Sequence, residues 1–270
     1  MATQNAAFVG SIPENYDRYL GPVLFEPFAR DLAARLNVPE AGLLLEIACG
    51  TGIVTRHLRD SLPPTVKIVA TDLNEAMMDY ARRKFRADEN IEWKQADATE
   101  LTFDDVTFDA VVCQFGLMFV PDKAKAAEEA FRVLKPGGKF VFSVWDAIEL
   151  NDLAHTAHTT VAKYFENDPP DFYQVPFSFH DEEAIETLLR STEFREIQVT
   201  PVAFTSKASS AREVARGLIH GNPIIAALRE RCEARIPEIE AEVAAVVAAK
   251  YGDNPVRAKM RALVCSAVRQ

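Results

Sequence analysis

The sequence predicts an α/β fold: a parallel sheet with helices on both faces. Three observations predict it. Short apolar runs alternate with helical patterns from Leu43 to Trp145, the rhythm of strand–helix–strand units. The run Leu43-Leu44-Leu45-Glu46-Ile47-Ala48 leads into Cys49-Gly50-Thr51-Gly52, and Ile53, Val54 and Leu58 then recur at helical spacing. A second apolar run, Val66 to Thr71, ends in Asp72, twenty residues past Gly52.

Strands are expected near 43–48, 66–71, 91–95, 108–113 and 139–145, with a helix at about 23–36 ahead of the first. Asp122 is placed to cap a helix running to Leu134, which Pro136-Gly137-Gly138 stops. Beyond Trp145 the rhythm changes. Residues 150–166 read as helix and Asp168-Pro169-Pro170 breaks the chain. Asp181 then caps a helix with Ala184, Ile185, Leu188 and Leu189 on one face. Residues 194–205 alternate like a strand. Helical segments follow at about 209–220 and 223–250, the second broken near Pro237, and residues 262–268 close the chain as a strand.

The chain has 270 residues, 48% hydrophobic and 26% charged, enough for one large α/β domain. A net charge of −10 argues against nucleic acid as substrate, because the surface repels phosphates. Cys49, Cys113, Cys232 and Cys265 are far apart and form no Cys-x-x-Cys, which suits a reducing compartment. Residues 1–20 carry Asn5, Glu14, Asp17 and Arg18 and lack the apolar stretch of a secretory leader. No apolar run approaches a bilayer span. A cytoplasmic protein is expected.

The strand–turn–helix at Gly50 points to a nucleoside cofactor. Glycines allow a sharp turn and close approach to a ligand. The new helix offers free N–H groups to an anionic group, and an acid at the offset of Asp72 can accept hydrogen bonds from ribose hydroxyls. Dinucleotide sites require Gly-x-Gly-x-x-Gly, but the third small position is Thr55 here, and Glu46 stands four residues before Gly50. This arrangement resembles class I S-adenosylmethionine-dependent methyltransferases. Gln95-Ala96-Asp97-Ala98, the run Phe108 to Phe115 and the run Phe131 to Phe140 resemble further motifs of that family, in order. The resemblance covers about residues 10 to 145. It is closest to the small-molecule branch, type 11, that includes the quinone-biosynthesis methyltransferases.

The resemblance implies a Rossmann-like seven-stranded, mostly parallel sheet with an antiparallel last strand. It implies one methyltransferase domain over 1–270, with N-terminal lid helices in 1–40, a cofactor-binding core in 41–146 and cap insertions at 147–180 and 207–258. S-adenosyl-L-methionine is the implied cofactor. Ala48, Gly50 and Gly52 would approach its methionine part, and Glu46 would orient the loop or reach the amino group through water. Asp72 would hold the ribose and Leu73 would pack on adenine. Asp97 and the Ala98 N–H would read the adenine edge, and Gln114 and Phe115 would stand at the sheet's C-terminal rim. Tyr16 is the first candidate for a lid residue over the cofactor, ahead of Tyr19 and Arg18. Structural alternatives stay open: helix capping for Asp72, a loop carboxylate for Asp97, a loop clamp for Glu46 and a helix staple for Tyr16.

For the methyl acceptor, candidate general bases are His155 and His158, which share a helix face at i, i+3, together with His180, His220 and Asp146. No third ligand accompanies the two neighbouring histidines, so no metal is expected. Tyr164, Phe165, Phe172, Tyr173, Phe177 and Phe179 crowd one segment, and Phe115, Met118 and Phe119 add apolar surface at the rim. An apolar pocket for a small acceptor is expected. The rival readings are a nicotinamide-dependent oxidoreductase, for which no Tyr-x-x-x-Lys appears in the central region, and a non-catalytic cofactor-binding protein. The sequence leaves open the oligomeric state and whether oxygen, nitrogen or carbon is methylated.

Overall fold

The strand order explains where a ligand can sit. In the computed structural model, which describes residues 6–270, seven strands form one sheet: β1 Leu43–Ile47, β2 Lys67–Asp72, β3 Ile91–Gln95, β4 Phe108–Gln114, β5 Leu134–Trp145, β6 Arg195–Ala208 and β7 Val256–Val268. The order is β3-β2-β1-β4-β5-β7-β6. The β1–β2, β1–β4, β2–β3 and β4–β5 pairs are parallel, and β7 runs antiparallel between β5 and β6. The order reverses between β1 and β4, so the chain leaves these two strands in opposite directions and opens a crevice at their C-terminal ends.

The central strands are apolar throughout because both faces are covered. Leu44, Leu45, Ile68, Val111, Val112, Val141 and Phe142 are all fully buried. The covering helices follow the predicted pattern: α1 Ile12–Asn15, α2 Glu26–Ala34, α3 Ile53–Ser61, α4 Glu75–Arg82, α5 Lys123–Val133, α6 Asp152–Ala162, α7 Glu182–Ser191, α8 Ala211–His220, α9 Ile224–Cys232 and α10 Ile236–Tyr251. Asp122 and Asp181 cap α5 and α7 by accepting from the Lys125 and Ala184 N–H groups. The predicted break near Pro237 falls just before it, in a 3₁₀ turn at Glu233–Arg235. Among the described residues no helix is long and apolar enough to cross a membrane.

Three features depart from the sequence reading. Strand β7 starts at Val256 rather than 262, because Val256, Ala258 and Met260 alternate inward and pair with Ala208, Ser206 and Phe204. The helical insertion is correspondingly shorter than 207–258. Strand β5 takes in Pro136-Gly137-Gly138 through a register shift between Phe108 and Ala110. The predicted helix at 23–36 is preceded by a π-helix, Tyr16–Phe25, which contains Pro22. π-Helices of this length are rare. Its outer face meets α8 at two glycines: a Cβ on Gly217 would lie 2.8 Å from Leu20, and one on Gly221 would lie 3.1 Å from the Tyr16 nitrogen. Residues 1–5 of the predicted lid lie outside the described residues.

Candidate active site

The glycine loop turns through left-handed backbone at Ala48 (φ 55°), Gly50 (φ 56°) and Gly52 (φ 79°). Ala48 adopts this conformation despite its Cβ, which is uncommon. Asp72 holds the loop to the neighbouring strand end. Its Oδ2 accepts from the Gly50 N–H at 2.9 Å and its Oδ1 from the Asn74 N–H at 2.8 Å. Asn74, not Asp72, occupies the N-cap position of α4. Burial raises the Asp72 pKa, against the pull of the backbone N–H groups of Asn74 and Gly50. A carboxylate has about four acceptor directions, so Asp72 keeps capacity for a ligand beyond its two backbone bonds.

Glu46 is a clamp within this loop. Its Oε2 accepts from the Thr55 hydroxyl at 2.7 Å, and its backbone carbonyl accepts from the Thr71 hydroxyl at 2.9 Å. Burial pushes its carboxyl up to about 8. The pairing gives a reason for threonine at the third small position: its hydroxyl satisfies an otherwise bare carboxyl. Gly52 also differs from expectation. It does not line the cleft; a Cβ there would lie 2.9 Å from the Phe85 ring and 3.1 Å from the Ala81 Cβ. Its absent side chain lets the start of α3 pass the end of α4.

The crevice between β1 and β4 holds a cleft of about 1240 Å³, partly open to solvent. Ala48, Gly50, Asp72 and Leu73 form one side; Asp97 and Ala98 stand at one end; Gln114, Phe115 and Tyr16 also line it. Leu73 is 54% exposed, a large apolar side chain left facing the cleft. Asp97 Oδ1 accepts from the Thr99 N–H and hydroxyl at 2.8 and 2.7 Å, so it shapes its own turn. The Gln114 amide donates to the Phe25 carbonyl, while its buried Oε1 has no partner among the described residues. Sequence reasoning missed Asn74, Met77 and the N-terminal strap. The Asn74 amide donates to the Ala6 carbonyl at 3.0 Å and brings Phe8 over the cleft. No motif marks Phe8.

A second cavity, also partly open to solvent, adjoins the first. Phe8, Tyr16, Phe115 and Phe119 line both. Tyr16 stacks on Phe25 with centroids 4.6 Å apart. Burial, with Asp72 and Asp17 nearby, drives its hydroxyl pKa far above the ordinary value, so Tyr16 stands as a neutral hydroxyl. Phe172, Tyr173 and Phe177 from the aromatic-rich segment line the inner cavity. Tyr164, Phe165 and Phe179 lie elsewhere, beneath Arg235, Arg231 and Lys123.

The predicted bases are not brought to either cavity. His158 packs edge-on to Tyr173 and its pKa is lowered by burial and by His155. His180 Nδ1 lies 2.6 Å from the Phe177 carbonyl, and His220 pairs with Glu240 at 2.9 Å. His155, on the same helix as His158, lines neither cavity. Asp146 pairs with Arg261 at 2.7 Å and accepts from the Ala147 N–H. Among the described residues no cluster could hold a metal. The Cys113 thiol is pushed up to about 12 by burial, and Cys49 is raised well above its usual value, so both are inert apolar filler.

Known proteins carry the same motifs on the same fold. Residues 45–142 match the family model described as a methyltransferase domain. A demethylmenaquinone methyltransferase from Clavibacter sepedonicus is 38% identical over 141 residues, which is 51% of this chain and 56% of that protein. The chain thus spans little more than half the length of the curated relative. Among solved structures, the YcgJ protein of Bacillus subtilis superposes with a TM-score of 0.60 at 17% identity, covering 90% of this chain and 99% of that one. Phosphoethanolamine N-methyltransferase 2 of Haemonchus contortus, solved with S-adenosyl-L-methionine, gives 0.62 at 16% identity, covering 95% of this chain and 56% of that one. Such identities show a shared fold. The segment that matches the methyltransferase domain, residues 45–142, spans the glycine loop, Asp72, Asp97 and Gln114.

Proposed function

We propose that this chain transfers the methyl group of S-adenosylmethionine to a small, mostly apolar acceptor held in the inner cavity. The observation that carries the reading is the junction of the two cavities at Tyr16, Phe115 and Phe119. A cofactor in the outer cleft and an acceptor in the inner one meet there. The relative's name makes a quinone-type ring the leading acceptor class.

The residues present fit the cofactor. Asp72 has acceptor capacity left for ribose hydroxyls, and exposed Leu73 offers an apolar face to adenine. Asp97 and Ala98 line the cleft, and a free oxygen of Asp97 with the Ala98 N–H would read the adenine edge. Gln114 Oε1 lacks a donor among the described residues and would accept from the cofactor's ammonium group. The bound cofactor contributes a methyl group activated by a sulfonium.

The protein's part is alignment and exclusion of water. Apolar walls at Phe115, Phe119 and Trp145 remove competing solvent. Holding two reactants in line replaces a bimolecular encounter with an oriented one. His155, His158, His180 and Asp146 line neither cavity, so none of them is assigned as base. The acidic chain and the largely apolar lining of the inner cavity support a small molecule over nucleic acid.

The test is an assay with deuterated-methyl cofactor and a panel of acceptors that includes demethylmenaquinol, read by mass spectrometry. Label on a ring acceptor is the expected result. Label on RNA or protein, with none on any ring compound, contradicts the proposal.

A further inference from the structure

The polar groups of the inner cavity divide by what they already bond. Asn151 is saturated: its amide donates to the Asp146, Ala147 and Arg261 carbonyls, and its Oδ1 accepts from the Arg261 N–H. The Tyr173 hydroxyl donates to the Leu218 carbonyl at 2.7 Å, and the Asn222 amide donates to that carbonyl too. Lys259 borders the cavity, but strand alternation sets its side chain on the opposite face from Met260 and Ser206. Ser206 is different. The residue is 1% exposed, and among the described residues the only partner of its hydroxyl is the Met260 thioether at 3.1 Å. A thioether sulfur is a weak acceptor. A buried hydroxyl left with so poor a partner is costly to keep, unless something else binds it.

Resting on the acceptor reading above, we propose that Ser206 selects the acceptor by hydrogen-bonding a second polar group on it, remote from the methylated atom. The sheet places it there. Phe115, at the junction with the cofactor cleft, follows β4, and Ser206 lies on β6, three strands further along the order β4-β5-β7-β6. Three strand spacings near 4.8 Å put roughly 14 Å of sheet between the two backbones, and both residues line the same cavity, so Ser206 meets an acceptor at the end away from the junction. The acceptor class is therefore an apolar ring system with oxygen at both ends: a hydroxyl or carbonyl distal to the site of methylation. Ser206 is a specificity-determining residue that plays no part in methyl transfer itself.

The test compares two probes that differ only in a distal hydroxyl, 2-naphthol and 2,6-dihydroxynaphthalene. Each is titrated by calorimetry into the protein saturated with S-adenosylhomocysteine. The wild type should bind the dihydroxy probe at least about tenfold more tightly. Ser206→Ala should abolish that preference and leave 2-naphthol affinity unchanged. Met260→Leu, which removes the sulfur and keeps the hydroxyl, should retain the preference. A preference that survives Ser206→Ala, or is lost in Met260→Leu, overturns the assignment to Ser206. Binding of both probes by the wild type with equal affinity overturns it as well. Binding of neither probe, with S-adenosylhomocysteine still bound, overturns the acceptor reading beneath it.

Discussion

Phe115 and Trp145 stack face to face, with ring centroids 3.9 Å apart and planes inclined by 6°. Phe115 is held at φ 52°, where a bulky side chain is a genuine outlier. The strained turn after β4 aims its ring between the cofactor cleft and the inner cavity, and Trp145 at the end of β5 supports it from behind. Phe177 in turn stacks on Trp145 from the cap side, at 6.0 Å.

This aromatic stack predicts two different defects. Phe115→Leu should weaken both cofactor binding and turnover, because Phe115 lines both cavities. Phe177→Ala touches only the inner one. It should lower turnover by about tenfold or more through misplacement of the acceptor, with the cofactor dissociation constant nearly unchanged. Calorimetry and steady-state kinetics on the two variants separate these outcomes.

Asp72→Ala should cost both binding and stability. Hydrogen bonds to a charged group are worth roughly 1.5–3 kcal/mol each. Losing those to ribose should reduce cofactor affinity by at least about tenfold. The Gly50 and Asn74 N–H groups also lose their acceptor, so the variant should unfold at lower urea concentration. Unchanged affinity with lowered stability would leave Asp72 a purely structural role.

Glu46 gives stability a pH dependence. Its carboxyl stands near 8 in the folded chain against 4.5 for the ordinary group. Between those values the native state keeps a proton that the unfolded chain has released. The contribution is therefore fully present below about pH 4.5 and is lost as pH rises towards 8. One pKa unit corresponds to about 1.4 kcal/mol, so the decline amounts to a few kcal/mol. Glu46→Gln keeps an acceptor for Thr55 and cannot ionise. Its urea stability relative to wild type should rise from pH 5 to pH 8, and a constant difference would contradict the buried, protonated clamp.

Gly52→Ala should act on stability rather than on the ligand. A left-handed backbone costs an L-residue roughly 1–2 kcal/mol, and the new Cβ would press on Phe85. Cofactor affinity of the folded variant should stay close to wild type. Gly50→Ala carries the same left-handed cost at φ 56° and meets only the end of Met77 at 3.5 Å, and because Gly50 lines the cleft it should weaken cofactor binding as well.

The parallel core was legible because its signals are local. Apolar runs, the Gly50 turn and the Asp122 and Asp181 caps each lie within a few residues of sequence. The same is true of Asp72 and Gln114, which end strands and so point at the rim. What the sequence left open, as for Glu46, or did not reveal depends on partners elsewhere in the chain. Glu46 is a clamp only because Thr55 faces it, and Gly52 is a packing glycine only because Phe85 returns beside it. The early start of β7 follows from pairing with β6, fifty residues upstream. The histidines looked catalytic by type, but their placement depends on cap packing that no motif encodes. Phe8 and Ser206 stand in no recognisable pattern, yet tertiary packing brings both to cavity walls.

The central claim is that the cofactor's sulfur sits at the junction of the two cavities and faces the apolar one. A crystal structure with S-adenosylhomocysteine tests it most directly. The account predicts ribose hydroxyls on Asp72, adenine against Leu73, and the sulfur beside Tyr16 and Phe115, opening onto the cavity lined by Phe172 and Phe177. A sulfur that opens onto a broad, unroofed surface groove, with the inner cavity sealed from it, would contradict the account.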